Sequence, residues 1–304
     1  METVKSTADR IRRLQVKGAR NVAIAALEEL LILAEETKAK SREDFIRELS
    51  KAKALLFSSR PTEPLMRNAV SWVLCSVNCS KSKHVGDLAR VVSSSVCEFL
   101  RSLEASREKI AEIGAKRIKD GTTVFTHCHS STVTYMLRKA KYSGKNFEVI
   151  CTETRPVFQG RITAKEMLKL GVKTTFIVES AARSVVRNAD IVVVGADAIT
   201  SEGNIVNKIG TATIALLAHE ARVPFYVVSE LLKFDAATLY GEYEGIEERG
   251  RSEVWAEAPK KLIVRNPAFE VTQRGYIHGL ICEEGIFPPH MIIELIERKY
   301  SWLL

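Results

Sequence analysis

Along the first 119 residues the apolar positions recur every three or four places, as in Val22-Ala23-Ala26-Leu27-Leu30-Leu31-Leu33-Ala34 and again in Leu88-Val91-Val92-Val96-Phe99-Leu100-Leu103. That period lays one apolar stripe along a helix, and no strand-like alternation interrupts it. Gly18, Pro61, Pro64 and Gly86 punctuate the pattern. Residues 1–119 are therefore expected to form a helical domain of five or six helices, with KGARN and SSRPTEP as irregular stretches.

At Asp120-Gly121 the pattern changes. The short β-rich runs VFTHC, FEVICTE, TTFIVES, ADIVVVGAD, VPFYVVSE and KKLIVRN now alternate with helical or turn signals, which predicts parallel strands joined by crossover helices. A run as continuously apolar as Ile191-Val192-Val193-Val194 needs cover on both faces. Residues 120–304 are thus expected to form a doubly wound, Rossmann-like α/β sheet domain behind the helical one. Such sheets bind ligands beyond the C-terminal ends of their strands, and four polar residues end four of the runs: Cys128, Glu153, Asp197 and Glu230. Each also has an ordinary reading, the cysteine as a small buried hydrophobe and the aspartate as a cap for the next helix.

Composition narrows the function classes. The chain has 304 residues, 46% of them apolar, enough for a sizeable core. No apolar run approaches the roughly 20 residues of a membrane helix, since the stretch 21–34 is broken by Glu28 and Glu29. The start METVKSTADRIRR lacks a signal layout, so a cytoplasmic protein with no membrane partner is expected. Forty-five Lys and Arg against thirty-seven Asp and Glu leave a formal charge of +8, which suits phosphorylated small molecules, an acidic protein or nucleic acid. The cations are spread out and aromatic residues make up only 7%, so nucleic acid is not the expected partner. The six cysteines form no CxxC pair and are expected to be reduced and mostly buried. In a strand the two histidines of His127-Cys128-His129 would face one way and the cysteine the other, and no second ligand cluster follows, so neither metal nor cofactor is expected.

Two stretches carry candidate chemistry. Ser130-Ser131-Thr132 opens a helix just after Cys128, and free amides there would attract an anion and lower the thiol pKa, making a thiolate base beside a phosphate site. In GADAITSEGNIVNKIGTATIALLAHEA a strand ends at Gly195-Ala196-Asp197, a turn carries Glu202-Gly203-Asn204, and Asn207-Lys208-Ile209-Gly210-Thr211 leads into an apolar helix. Lys, Gly and Thr at a helix start favour phosphate, while Asn207 has an equal reading as an N-cap and Lys208 as a solvated cation.

The stretches GADAITSEGNIVNKIGT, PFYVVSELLKF, THCHSST and SRPTEP, behind a helical half, resemble a superfamily of three groups. These are the methylthioribose-1-phosphate isomerases, the ribose-1,5-bisphosphate isomerases and the regulatory subunits of translation initiation factor 2B. The resemblance covers nearly the whole chain and is most specific in GAD…NKIGT. The isomerases resembled use a Cys and an Asp, which the initiation-factor subunits usually lack in part or whole; here both are present, as Cys128 and Asp197. GADAIT, VSELLKF and the short turn look most like the archaeal ribose-1,5-bisphosphate isomerases. KGARN stands where these have Arg-Gly-Ala, with Lys17 for the usual Arg, and His129 stands in place of an Asn.

The resemblance implies an isomerase that turns α-D-ribose 1,5-bisphosphate into D-ribulose 1,5-bisphosphate in nucleotide salvage. Cys128 is then the base and Asp197 the acid, a carboxyl that must keep its proton near neutral pH. Substrate contacts fall on Lys17, Gly18, Ala19, Arg20, Arg60, His129, Ser130, Ser131, Asn207, Lys208 and Lys233. The resemblance further implies a homo-oligomer, dimer or hexamer, with AMP as an effector. Two alternatives share the resemblance: a regulatory subunit that binds initiation factor 2 or a sister subunit, and a methylthioribose-1-phosphate isomerase. The apolar stretch 276–304 ends in Tyr300-Ser301-Trp302-Leu303-Leu304, which is expected to dock on a partner copy or on its own domain.

Overall fold

The apolar stripes of the N-terminal half become helices α1 (Glu2–Arg12), α2 (Ala19–Glu35), α3 (Arg42–Ser59), α4 (Pro64–Cys79) and the long α5 (Val85–Ala115). Their boundaries follow local chemistry. Ser41 caps α3 by accepting from the Asp44 amide, and Pro64 opens α4 at a position where its missing N–H costs nothing. In the computed structural model, which describes residues 1–61, 63–242 and 245–304, the chain divides into two units, Met1–Ala105 and Ser106–Leu304. Thr62, within the SRPTEP stretch, lies outside the described residues. The first unit buries Val22, Ala23, Ala26, Leu27 and Leu30 of α2 completely. Burial of this kind contributes roughly 1.5–3 kcal/mol for each large side chain.

The division falls inside α5, ahead of the change of pattern at residue 120. Ile110, Ala111 and Ala115 of its last turns belong to the core of the second unit, with Val124, Met136 and Val193. Sequence periodicity marks where strands begin; packing decides which core a helical turn joins.

The second unit runs β1 (Thr122–Thr126), α6 (Ser131–Tyr142), β2 (Phe147–Thr152), α7 (Gly160–Lys169), β3 (Lys173–Ile177), α8 (Ala182–Val185), β4 (Ile191–Val194), β5 (Ala198–Ile199), β6 (Ile205–Lys208), α9 (Thr211–Glu220), β7 (Phe225–Val228), α10 (Arg251–Val254), β8 (Phe269–Thr272), β9 (Gly279–Cys282), β10 (Gly285–Phe287) and α11 (Ile292–Tyr300). Seven strands form one sheet in the order β10-β9-β7-β4-β1-β2-β3, parallel except for β10. The chain winds outward one way through β2 and β3 and the other way through β4, β7 and β9. The sheet is therefore doubly wound, as the alternating pattern predicts, and its order reverses between β1 and β4. A second, antiparallel sheet, β5-β6-β8, carries the GADAIT…NKIGT hairpin.

Three sequence expectations fail here. KKLIVRN forms no strand: Ile263 is 87% exposed and Leu262 is exposed too, and β propensity without a neighbouring strand makes no ladder. Strands β8, β9 and β10 lie instead in stretches with no strand reading. Of the six cysteines, Cys75, Cys79 and Cys97 are exposed on helices, so only half are buried, although all are free thiols.

Candidate active site

The two residues singled out as an acid–base pair follow the two strands at which the sheet order reverses. Cys128 comes just after β1 and Asp197 just after β4, and β1 pairs directly with β4. That crevice is where an open α/β sheet leaves room for a ligand.

Cys128 is not part of a strand. Its φ is 67°, a left-handed conformation that a non-glycine residue adopts only when its surroundings impose it. Two buried threonines impose it here. The Cys128 amide donates to Thr154 Oγ1 at 3.0 Å, and its carbonyl accepts from Thr163 Oγ1 at 2.9 Å. Thr154 is itself left-handed, at φ 64°, and its amide donates to Glu179. Because the backbone leaves the strand, the expected alternation of His127, Cys128 and His129 does not arise. Ser130 caps α6 by accepting from the Val133 amide at 3.4 Å. A Cβ on Gly195 would come within 2.5 Å of the Ser130 hydroxyl, so only glycine lets the end of β4 lie against this cap.

Asp197 enters from the second sheet, its amide donating to the Val206 carbonyl at 2.9 Å. Beside it Lys233 is buried, with Nζ 2.8 Å from the Ala196 carbonyl and 3.3 Å from Glu230 Oε2. Glu230 is wholly buried and also accepts from Thr132 at 3.1 Å. Lys208, on β6, is buried with its ammonium 4.6 Å above the Phe269 ring, and Asn207 donates to Thr211 Oγ1 at 3.0 Å.

Electrostatics at Cys128 reverse the expected direction. Burial pushes the thiol up to about 12; the Lys208 ammonium and the His129 amide oppose this, while the Asp197 and Glu179 carboxylates add to it. The start of α6 does not overcome desolvation, and the free protein holds a thiol rather than a thiolate. The α9 start differs from expectation as well. Its N-cap is Gly210 at φ 101°, and the amides of Gly210 and Ala212 donate to one Glu270 oxygen at 2.7 and 2.8 Å. An internal carboxylate on β8, whose Glu270 pairs with Asn207 across the ladder, takes the place expected for phosphate.

The structure brings Cys128, Asp197, His129, Ser130, Asn207, Lys208 and Lys233 into one unit. Ser131 is the first residue of α6. His129 bonds Thr163 Oγ1 through Nδ1 at 3.1 Å, and burial lowers its pKa against the opposing pull of Glu166. Glu153 is held by Arg161 at 2.6 Å. The remaining candidates belong to the helical unit. Lys17 precedes Gly18, which caps α2 at φ 84°, and Ala19 is the buried first residue of that helix. Arg20 donates to the Leu103 carbonyl and pairs with Glu104, and Arg60 pairs with the buried Glu63 at 3.1 Å.

Sequence reasoning missed the supporting residues His127, Thr152, Thr154, Thr163, Glu179 and Glu270. His127 is 1% exposed, and burial lowers its pKa to about 4. One signal was available: Thr152 and Thr154 flank Glu153 at the end of a strand, where residues two apart share a face. Among the described residues no group of three or more His, Cys, Asp or Glu is arranged to hold a metal ion, and no helix is long and apolar enough to cross a membrane.

Comparison with known proteins places the chain in a family. The model of the initiation factor 2 subunit family matches residues 15–289. The chain belongs to that family. A relative from Archaeoglobus fulgidus named ribose 1,5-bisphosphate isomerase is 43% identical over 99% of this chain and 95% of its own length. Among solved structures, Pyrococcus horikoshii translation initiation factor eIF-2B superposes with a TM-score of 0.83 at 31% identity, covering 95% of this chain and 98% of its own. The 5-methylthioribose 1-phosphate isomerase of the same organism gives 0.79 at 27% identity, over 97% and 87%. Proteins similar to this chain are thus named for both catalysis and translation initiation.

Proposed function

We propose that this protein is an aldose–ketose isomerase that converts α-D-ribose 1,5-bisphosphate into D-ribulose 1,5-bisphosphate, with Cys128 as base and Asp197 as acid. The observation that carries the reading is a buried thiol, held in a left-handed backbone conformation at the reversal of the sheet, within electrostatic reach of Asp197 and Lys208. A packing cysteine has no need of that conformation. The relative's name, at 43% identity over nearly the full length, supports the substrate.

In this substrate the anomeric oxygen carries phosphate, so no free aldehyde forms. Asp197 gives its proton to the ring oxygen as the bond to carbon one breaks, and Cys128 takes the proton from carbon two, leaving a phosphoenolate. Cys128 then returns its proton to carbon one, the carbon-two hydroxyl proton passes to Asp197, and the ketose is complete with both groups restored. Burial holds the Cys128 thiol protonated in the free protein, so the thiolate must form before chemistry starts, and the Lys208 ammonium favours that step by stabilising the thiolate. Lys208 and Lys233 supply cations for the substrate phosphates. The roles of Lys17, Gly18, Ala19, Arg20 and Arg60 as substrate contacts, of AMP as effector and of nucleotide salvage as setting rest on resemblance.

The test is ketose formation by purified protein from ribose 1,5-bisphosphate and, separately, methylthioribose 1-phosphate, each with and without AMP. Cys128→Ser and Asp197→Asn are each expected to lower turnover by roughly 10²-fold or more with the fold intact. Parental turnover in either variant overturns the assignment of roles. The second reading, a regulatory subunit, draws on the match to eIF-2B and predicts no turnover of either sugar phosphate.

A further inference from the structure

Cys128 and Lys208 lie on separate segments of the second unit, and the contacts between those segments form a continuous line of buried groups. The His127 imidazole approaches the Ile209 carbonyl through Nε2 at 2.9 Å and the Thr152 hydroxyl through Nδ1 at 2.6 Å. The Thr152 and Thr154 hydroxyls lie 3.3 Å apart, and Thr154 Oγ1 accepts from the Cys128 amide at 3.0 Å. His127, Thr152 and Thr154 are all essentially inaccessible to water. Gly210 makes room for the ring: a Cβ there would come within 3.0 Å of it.

The direction of every hydrogen bond follows from which atoms carry hydrogens. A carbonyl oxygen only accepts, so Nε2 of His127 carries a proton and donates to Ile209. Burial keeps the ring neutral, its pKa being about 4, so Nδ1 is a lone pair and accepts from Thr152. That uses the one hydroxyl hydrogen of Thr152. Thr154 must therefore be the donor toward Thr152, whose Oγ1 and carbonyl lie 3.3 and 3.5 Å away. Its own oxygen is left to accept from Cys128. Reversing one link requires reversing its neighbours, and a buried chain of this kind is cooperative.

We propose that His127 is a positioning residue, the hub of a one-way hydrogen-bond chain that holds the catalytic thiol and the Lys208-Ile209 segment in a single arrangement. The chain begins at the amide of a strained residue and ends at the carbonyl beside Lys208, so it couples the place of the base to the place of a phosphate contact. The proposal rests on the reading of Cys128 as the base.

The decisive variant is Thr152→Val, which keeps the side-chain shape and removes the central hydroxyl, with Thr152→Ser as the conservative rescue. Thr152→Val is expected to lower kcat for ribose 1,5-bisphosphate about tenfold or more, because a small misplacement of reacting groups is costly, and Thr152→Ser is expected to restore most of it. A lower melting temperature with parental turnover per folded molecule shows a merely structural role and overturns the proposal. Nitrogen-15 NMR of the parent's imidazoles tests the chain independently of any variant's folding. The His127 ring is expected to be neutral with the proton on Nε2 at about pH 6; a proton on Nδ1, in a neutral or a charged ring, overturns it. Cys128→Ser, assayed alongside, separates the two readings. An inactive Cys128→Ser with a fully active Thr152→Val sinks the chain alone, whereas an active Cys128→Ser sinks the assignment of the base. If the parent turns over no sugar phosphate, the proposed function fails and the imidazole spectrum still decides the chain.

Discussion

At single residues, burial sets the chemistry of the second unit's interior. Cys128 and Thr154 each hold a left-handed backbone that costs roughly 1–3 kcal/mol, and desolvation pushes the thiol to about 12 against the pull of Lys208. The same force acts on His127 with the opposite sign of charge, taking its pKa from 6.5 down to about 4. Below about pH 6.5 the unfolded chain binds a proton at this residue that the folded chain refuses until about pH 4. Stability from this residue is thus fully present above pH 6.5 and is lost as pH falls toward 4, by up to about 3 kcal/mol. Urea unfolding of the parent and His127→Gln, compared at pH 7, 5 and 4, is expected to show the parent losing more stability on acidification. Equal losses would mean that His127 is not held neutral. Cys128 and Asp197 were legible from their places at the ends of apolar runs. The thiol's pKa was not, because it depends on how much water the surrounding fold removes.

At the scale of elements, the start of α9 shows how a local signal is answered from elsewhere in the chain. Lys208, Gly210 and Thr211 read as a phosphate-binding helix start, yet Glu270 of β8 reaches its amides first. The carboxylate stabilises the helix both as an acceptor and as a negative charge at the positive end of the helix dipole. Glu270→Ala is expected to cost about 1–2 kcal/mol in chemical denaturation, and Glu270→Gln less, since the amide oxygen still accepts. An unchanged midpoint in Glu270→Ala would show that water replaces the carboxylate at no cost. The strands follow the same logic. Residues 191–194 form a strand because neighbours pair on both sides, whereas residues 260–266 have the composition of one and no strand beside them. Short β8, β9 and β10 carry too few residues for their own alternation to show.

At the scale of the whole molecule, the tail bears on assembly. Tyr300 donates to the buried Glu283 at 3.0 Å and Leu303 is buried, while Trp302 remains exposed. The tail therefore docks at least in part on its own unit. Deleting residues 300–304 is expected to lower the melting temperature, the loss of two buried side chains being worth roughly 2–5 kcal/mol. An unchanged melting temperature would contradict the docking. We propose a homo-oligomer, a dimer or a hexamer, on the resemblance. Light scattering at micromolar concentration is expected to give a multiple of the 33.9 kDa chain mass, and a monomer mass rejects the proposal.

The sequence by itself determined the helical first half, the α/β second half, the doubly wound sheet and the family, because these rest on periodicity and on runs of residues adjacent in the chain. It also determined that a Cys and an Asp follow two strands. Only the tertiary structure decided that those strands are neighbours at the reversal of the sheet, that the thiol is protonated, and that Glu270 fills the helix start. It alone placed His127 between the threonines and Ile209. The physical reason is common to all four: strand order, desolvation and hydrogen-bond partners join residues far apart in the chain, and no local pattern records which distant group arrives.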